Sequence, residues 1–423
     1  MISNVIMSRS FCPVAWNHIS VKNNGFVRLC SHSNASKSRG MFYNDNKLQT
    51  ANDDFYNCDT IKDIRKKMIQ DVEPEQCTRC HKENRAGHTS RQKLELEHTS
   101  FDINQAKKVT NKDGSVDNNQ IQSLDIRLGN QCNAKCIMCW PAESSAWYKD
   151  YKLFAGKSKF IDDGVEVNVD TSNTLYNWVD LENIEHLINK NIKSIFFAGG
   201  EPLITKKNKK ILQLLLDNNN TDVYIEYNTN CSMLPEPVLE MLTKFKTVKF
   251  HVSIDGPKEI NEYIRYPLSH NTIIENIKKL DQYDNFTLQM NPTINILNLE
   301  YLSEFIQMVQ DLDLKNIDNL RPIKHHPVHN PQYLNITSFP KDLLDKIFEK
   351  TTNQINNLNH RYQMIFNNIL NDYKNFYSLE KNNLDQSPIL SVQQESFVDL
   401  LDKVKKHRSI ELPKDSIIRS YYK

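Results

Sequence analysis

The chain has 423 residues and a mass of 49.5 kDa, too long for one ordinary domain, so two or three are expected. Lys and Arg number 53 against 52 Asp and Glu, a net charge of +1 with no long single-sign block, which argues against a protein whose main task is gripping nucleic-acid phosphates. No apolar run approaches the roughly 18 residues of a membrane span, the first residues lack a signal peptide's apolar core, and 9 cysteines then point to a reducing cytoplasm and to metal instead of disulfides.

Residues 1–98 show no strand–helix rhythm but hold two cysteine pairs. Cys12 and Cys30 stand in a C-x12-G-x4-C pattern, with Gly25 at the turn of an expected hairpin, VKNNGFVRLC. Cys77 and Cys80 form a CxxC after the helical segment IKDIRKKMIQ and the turn EPEQ. Four thiolates make a closed site, which suits an iron–sulfur cluster or a structural zinc ion. With four cysteines present, His81 is unnecessary as a ligand, and Cys58 is read as a bystander. Residues 99–120 end in the polar run TNKDGSVDNNQ and read as a linker.

From residue 121 to about 332, short β-branched and aromatic runs alternate with amphipathic stretches. The strands read IQSLDIRLG, IKSIFFAGG, DVYIEYNTN, VKFHVSIDG, FTLQMNPTIN and IDNLRPIK; helical segments such as LENIEHLINK and KKILQLLLDNN lie between them. Six β/α units imply an α/β fold, a parallel sheet curled by right-handed crossovers into a partial barrel with a lateral mouth. The loop after the first strand carries Cys132, Cys136 and Cys139 in a CxxxCxxC spacing. A 4Fe–4S cube normally takes four cysteines, so three with no fourth nearby suggest an iron left open for a ligand from outside the chain. A zinc knuckle needs a fourth N/S ligand, and incidental thiols are the remaining alternative. Only 10 glycines occur in the chain, yet Gly129, Gly199, Gly200 and Gly256 sit where strands give way to loops, as backbone gathered around a ligand requires. Cys231, after YNTN, is read as a small turn residue with hydrogen-atom donation as the sharper alternative; His325, His326 and His329 read as a solvated loop. Residues 333–423 carry long amphipathic helices, about 341–373 and 391–406, expected to pack on the barrel's outside, with a lid or a docking surface as alternatives.

Residues 121 to about 330 resemble the radical S-adenosylmethionine (radical SAM) enzymes. The cysteine loop, FFAGGEP (residues 196–202), YNTN (227–230), VSIDG (252–256) and EYIRYP with Arg265 match that family's segments in order, as do MNPTIN and NLRPI. The family places an aromatic before the last cluster cysteine; here it is Met138, whose thioether can still pack on an adenine. The resemblance implies a 4Fe–4S cluster on Cys132, Cys136 and Cys139, with S-adenosylmethionine on its open iron. It also implies a cofactor site of Gly199, Gly200, Glu201, Pro202, Asn228, Ser253, Asp255 and Arg265: the glycine turn for the ammonium, Ser253, Asp255 and Arg265 for ribose and carboxylate. Cys12, Cys30, Cys77 and Cys80 are similar in spacing to a SPASM or twitch extension, which holds an auxiliary 4Fe–4S cluster, though here it precedes the barrel. The implied chemistry is an electron from a low-potential donor such as flavodoxin or ferredoxin, cleavage of S-adenosylmethionine to a 5′-deoxyadenosyl radical, and hydrogen abstraction from substrate. Oxidative modification of a peptide or protein side chain leads; dehydrogenation of a small sugar or aminocyclitol and a non-catalytic metal-binding adaptor are the alternatives.

Overall fold

The computed structural model describes residues 9–33, 40–85, 89–97, 99–117, 121–171, 174–178, 185–188, 190–353, 358–381 and 389–422. They fall into two compact units that cut across the boundaries expected at 98, 120 and 332: residues 1–130, 173–226 and 244–246 in one, 131–172, 227–243 and 247–423 in the other.

In the first unit the N-terminal segment is not a separate body. Its strands β1 (His18–Val21) and β2 (Val27–Arg28) extend the sheet that contains β3 (Ser123–Arg127), β4 (Ser194–Ala198) and the start of β5 (Tyr224–Thr229), in the order β2-β1-β3-β4-β5. The hairpin foreseen around Gly25 is present: β1 and β2 are antiparallel, and Gly25 takes φ +81°, a left-handed value suited to glycine. β1 runs parallel to β3 and β3 parallel to β4, with Ile19 opposite Leu124 and Ile126 opposite Phe197. These apolar residues are at most 1% exposed, while the alternating His18, Ser20, Ser123 and Asp125 form the sheet's polar face. The turn that carries Cys12 is braced from within: buried Arg65 donates from Nε to the Ala15 carbonyl at 2.9 Å, and its guanidinium lies 4.5 Å from the centre of the Tyr56 ring.

The second unit holds the end of β5, then β6 (Thr247–Val252) and β7 (Phe286–Met290), in the order β5-β6-β7, with β6 and β7 parallel. Helices Glu236–Leu242, His270–Leu280 and Leu302–Asp311 follow the three strands in turn, each with a buried apolar face. This strand–helix alternation is the α/β pattern read from the sequence. The sixth strand is reduced to two parallel bridges, Leu288 with Ile317 and Met290 with Ile323. Asp318 captures the backbone N–H groups of Leu320 and Arg321, both at 2.9 Å, and Pro322 has none to offer a ladder. The helix expected over 181–190 lies largely outside the described residues; within them, Glu185–Leu187 is a 3-10 turn.

Among the elements that escaped the periodicity are a helix over Trp147–Ala155 after the cysteine loop, a hairpin of Lys159–Asp162 with Val165–Asn168, and a helix Ile103–Val109, capped by Asp102, within the stretch expected as a linker. The C-terminal region forms helices Lys341–Asn353, His360–Lys381 and Ile389–Arg408, the second packed on Leu302–Asp311 and the third on Trp147–Ala155. Among the described residues no helix is long and apolar enough to cross a membrane.

Candidate metal and cofactor site

The loop with Cys132, Cys136 and Cys139 is irregular, so its backbone polar groups need partners other than a ladder. The segment around Arg265 supplies two: Lys135 N–H donates to the Tyr266 carbonyl at 2.7 Å and Ile137 N–H to the Ile264 carbonyl at 2.8 Å. Ser144 Oγ caps the Ala134 carbonyl at 2.6 Å, and Trp147 Nε1 donates to the Cys136 carbonyl at 3.0 Å. Asn230 donates to Asn133 Oδ1 at 2.9 Å, and Asn133 donates to Ser232 Oγ at 2.9 Å.

Within this frame two of the sulfurs pair. Cys136 is buried, and the Cys139 thiol donates to its sulfur. That hydrogen bond, with the positive Arg265 opposing the effect of burial, holds the Cys136 pKa below its ordinary value, while Cys139, as donor, is raised. Arg265 Nη1 lies 4.0 Å from Cys136 Sγ. Of these thiols Cys136 is the one whose surroundings favour the thiolate, the form that binds iron.

Asp255 does not present a free carboxylate for ribose. Its oxygens hold Arg265 at 2.7 and 3.0 Å, and Oδ1 also accepts the Thr293 N–H at 2.8 Å, so it is the buried counter-ion that aims Arg265. Asn228 Oδ1 accepts from Asn291 Nδ2 at 2.9 Å and from Ser253 Oγ at 3.5 Å. These three residues stand at the ends of β5, β6 and β7, and Asn291 was not singled out by its motif.

At the end of β4, in the first unit, Gly199 has φ +79°, and a Cβ there would come within 2.1 Å of Asn23 Oδ1. Gly200 also takes a positive φ, and Pro202 opens a 3-10 turn. Buried Glu201 accepts the Leu203 N–H at 3.1 Å and so caps its own turn.

Cys231 is fully buried at φ +55°, its N–H donating to Thr229 Oγ1 and its carbonyl accepting from Asn276 Nδ2, which is the turn role. His325 turns to the C-terminal helices, 3.4 Å from both Asp372 Oδ2 and the Tyr373 hydroxyl.

Cys12, Cys30, Cys77 and Cys80, brought from four separate local structures, line one cavity in the first unit, together with His81 and Arg91. Burial pushes the Cys12, Cys77 and Cys80 thiols up, and Cys77 is raised further by Cys12, Cys30 and Cys80 around it. Desolvated thiols facing one another suit a shared metal centre, which removes their protons and their mutual repulsion.

Residues 126–309 match the profile of the Radical SAM superfamily. This segment of the chain is similar to radical SAM domains. That family implies a 4Fe–4S cluster and S-adenosylmethionine, and the matched segment contains the three loop cysteines, the glycine turn and Arg265. An uncharacterized protein of Methanocaldococcus jannaschii is 27% identical over 235 residues, covering 54% of this chain and 71% of that protein. GTP 3′,8-cyclase of Campylobacter lari is 23% identical over 193 residues, covering 45% of this chain and 51% of the cyclase. The structure of native anSMEcpe with bound AdoMet and Kp18Cys peptide is similar with a TM-score of 0.37 at 16% identity, covering 55% of this chain and 59% of that one. The chain thus spans about half the length of the cyclase and less than two thirds of that solved structure.

Proposed function

We propose that the chain is a radical SAM enzyme, with Cys132, Cys136 and Cys139 as cluster ligands on a partial β/α barrel. The observation that carries this reading is the pairing of Cys136 with Cys139 under the guanidinium of Arg265, inside the segment that matches the superfamily. When bound, the cluster and S-adenosylmethionine supply a 5′-deoxyadenosyl radical able to abstract hydrogen from an unactivated carbon. The residues hold and orient them. Gly199 and Gly200 open the turn so that backbone can approach an ammonium, and Glu201 fixes that turn. Asp255 locks Arg265 toward Cys136, where its free donor capacity suits a carboxylate. Asn228, Ser253 and Asn291 offer polar contacts for a ribose.

The four-cysteine cavity supports an auxiliary 4Fe–4S cluster. Four protein thiolates leave no iron for substrate, so its role is to accept an electron from a substrate radical, which favours net oxidation. A single zinc ion is the second reading. Its specific support is that His32, Cys80 and Glu83 present ligand atoms within 4.8 Å of one another.

A peptide or protein side chain is the favoured substrate. Cys139 lines a cavity of about 310 Å³ in the second unit, with apolar Ile137, Trp140, Trp147, Phe154 and Leu400 on its wall beside polar Ser396, Asp399 and Lys403, roomy enough for such a side chain.

The test is S-adenosylmethionine cleavage by the anaerobically reconstituted, dithionite-reduced protein. Wild type should release 5′-deoxyadenosine and methionine, and Cys136→Ala should not. No cleavage by a wild type loaded with iron and sulfide contradicts the enzymatic reading and leaves the adaptor.

A further inference from the structure

The superfamily match ends at residue 309, yet a residue 99 positions beyond it returns to the cysteine loop. Arg408 closes the helix Ile389–Arg408, and its side chain is 1% exposed. Its Nε donates to Asp150 Oδ2 at 3.0 Å, and the other oxygen of Asp150 binds Lys135 Nζ at 2.8 Å. Lys135 precedes Cys136 in the loop. Asp150 belongs to the helix whose first residue, Trp147, donates to the Cys136 carbonyl. The guanidinium lies 4.7 Å from the ring centre of Trp147 and 5.2 Å from those of Phe154 and Tyr266.

Two cations therefore share one carboxylate; Arg408 is buried among aromatic rings, while Lys135 keeps 23% of its side chain in solvent. One positive charge remains uncompensated there. Among the described residues, Nη1 and Nη2 of Arg408 are buried without a hydrogen-bond partner. Buried unpaired donors cost about 1–3 kcal/mol each, more when charged, and a packing brace alone needs no charge. The neighbouring group is the cysteine loop: Trp147, under the guanidinium, donates to the Cys136 carbonyl, and Lys135, on the shared carboxylate, directly precedes Cys136.

We propose that Arg408 is a positioning residue of the three-cysteine site, delivered by the C-terminal helix to brace the loop through Asp150 and to offset the negative charge gathered there. The inference rests on the radical SAM reading. Reduction adds one electron, taken from a low-potential donor, and makes or breaks no bond at Arg408. A buried cation favours the more negative, reduced state, and cluster potentials follow local charge and hydrogen bonding.

The experiment is a redox titration of the full-length, anaerobically reconstituted protein. It follows the electron paramagnetic resonance signal that responds to S-adenosylmethionine, together with iron and sulfide content and far-UV circular dichroism. Arg408→Gln should lower the reduced fraction at a fixed potential about tenfold or more, a midpoint about 59 mV more negative per tenfold. Arg408→Lys should restore most of the wild-type value. Asp150→Asn, which removes the shared carboxylate and leaves both cations, should move the midpoint the other way. That opposite sign separates charge from mere loss of structure, and it decides the matter if Arg408→Gln does not fold. Wild-type midpoint and iron content in folded Arg408→Gln, or a negative shift in Asp150→Asn, overturns the proposal. A wild type that binds no iron on reconstitution overturns the radical SAM reading, and this inference with it.

Discussion

Cys136 sits beneath one guanidinium and near a second, with a thiol donating to it, whereas Cys12 and Cys77 are raised by burial and face other cysteines. The first group is built on a loop that borrows its hydrogen bonds from the Arg265 segment and from the helix Trp147–Ala155. The second is assembled from a turn, a strand end, a 3-10 turn and a helix, held by a buried arginine and an aromatic cluster of Phe11, Trp16 and Phe101. The difference lies in charge: a cation stands beside Cys136, whereas the N-terminal cavity gathers buried thiols that raise one another. A site that must exchange an external ligand on one iron needs such standing organisation. A closed site can be organised by the metal it encloses.

Several changes separate the two. Cys77→Ala/Cys80→Ala should have the largest effect on product, abolishing it while some uncoupled 5′-deoxyadenosine release continues, as liquid chromatography of the nucleoside and the product will show. Full product yield contradicts the electron-accepting role of the N-terminal centre. Asp255→Ala should strand the buried Arg265 and destabilise the protein by about 3–5 kcal/mol, read as a fall in the thermal midpoint. An unchanged midpoint means the pair does not brace the loop. Trp147→Phe keeps the ring under Arg408 but deletes the bond to the Cys136 carbonyl, and should cost about 1 kcal/mol, measured by urea unfolding. The smallest effect belongs to His81→Asn, which should leave the iron count of the N-terminal centre at the wild-type value. A drop would make His81 a ligand.

Much of this was legible because it repeats. The strands of the core, the helices after β5, β6 and β7, and the hairpin around Gly25 follow from alternation, amphipathic period and one left-handed glycine. The four N-terminal cysteines were grouped by spacing, and they line one cavity. Single capture events were not legible. The sixth strand fails because Asp318 takes two N–H groups and Pro322 lacks one. Asp255 stands in the expected loop, but its partner Arg265, ten residues on, consumes its carboxylate, which no spacing announces. Asp150, Lys135 and Arg408 carry no motif, and the contact of Arg408 with Asp150 spans 258 residues. The N-terminal segment looked separable because it lacks the β/α rhythm; its β1 instead joins the sheet beside β3.

The most direct test of two cysteine groups holding two iron–sulfur centres is the iron and sulfide content of anaerobically purified protein, wild type against Cys132→Ala/Cys136→Ala/Cys139→Ala. The account predicts about eight irons per chain in wild type, falling to about four in the triple variant. Equal iron in the two proteins, or one zinc per chain with iron confined to the loop, contradicts it.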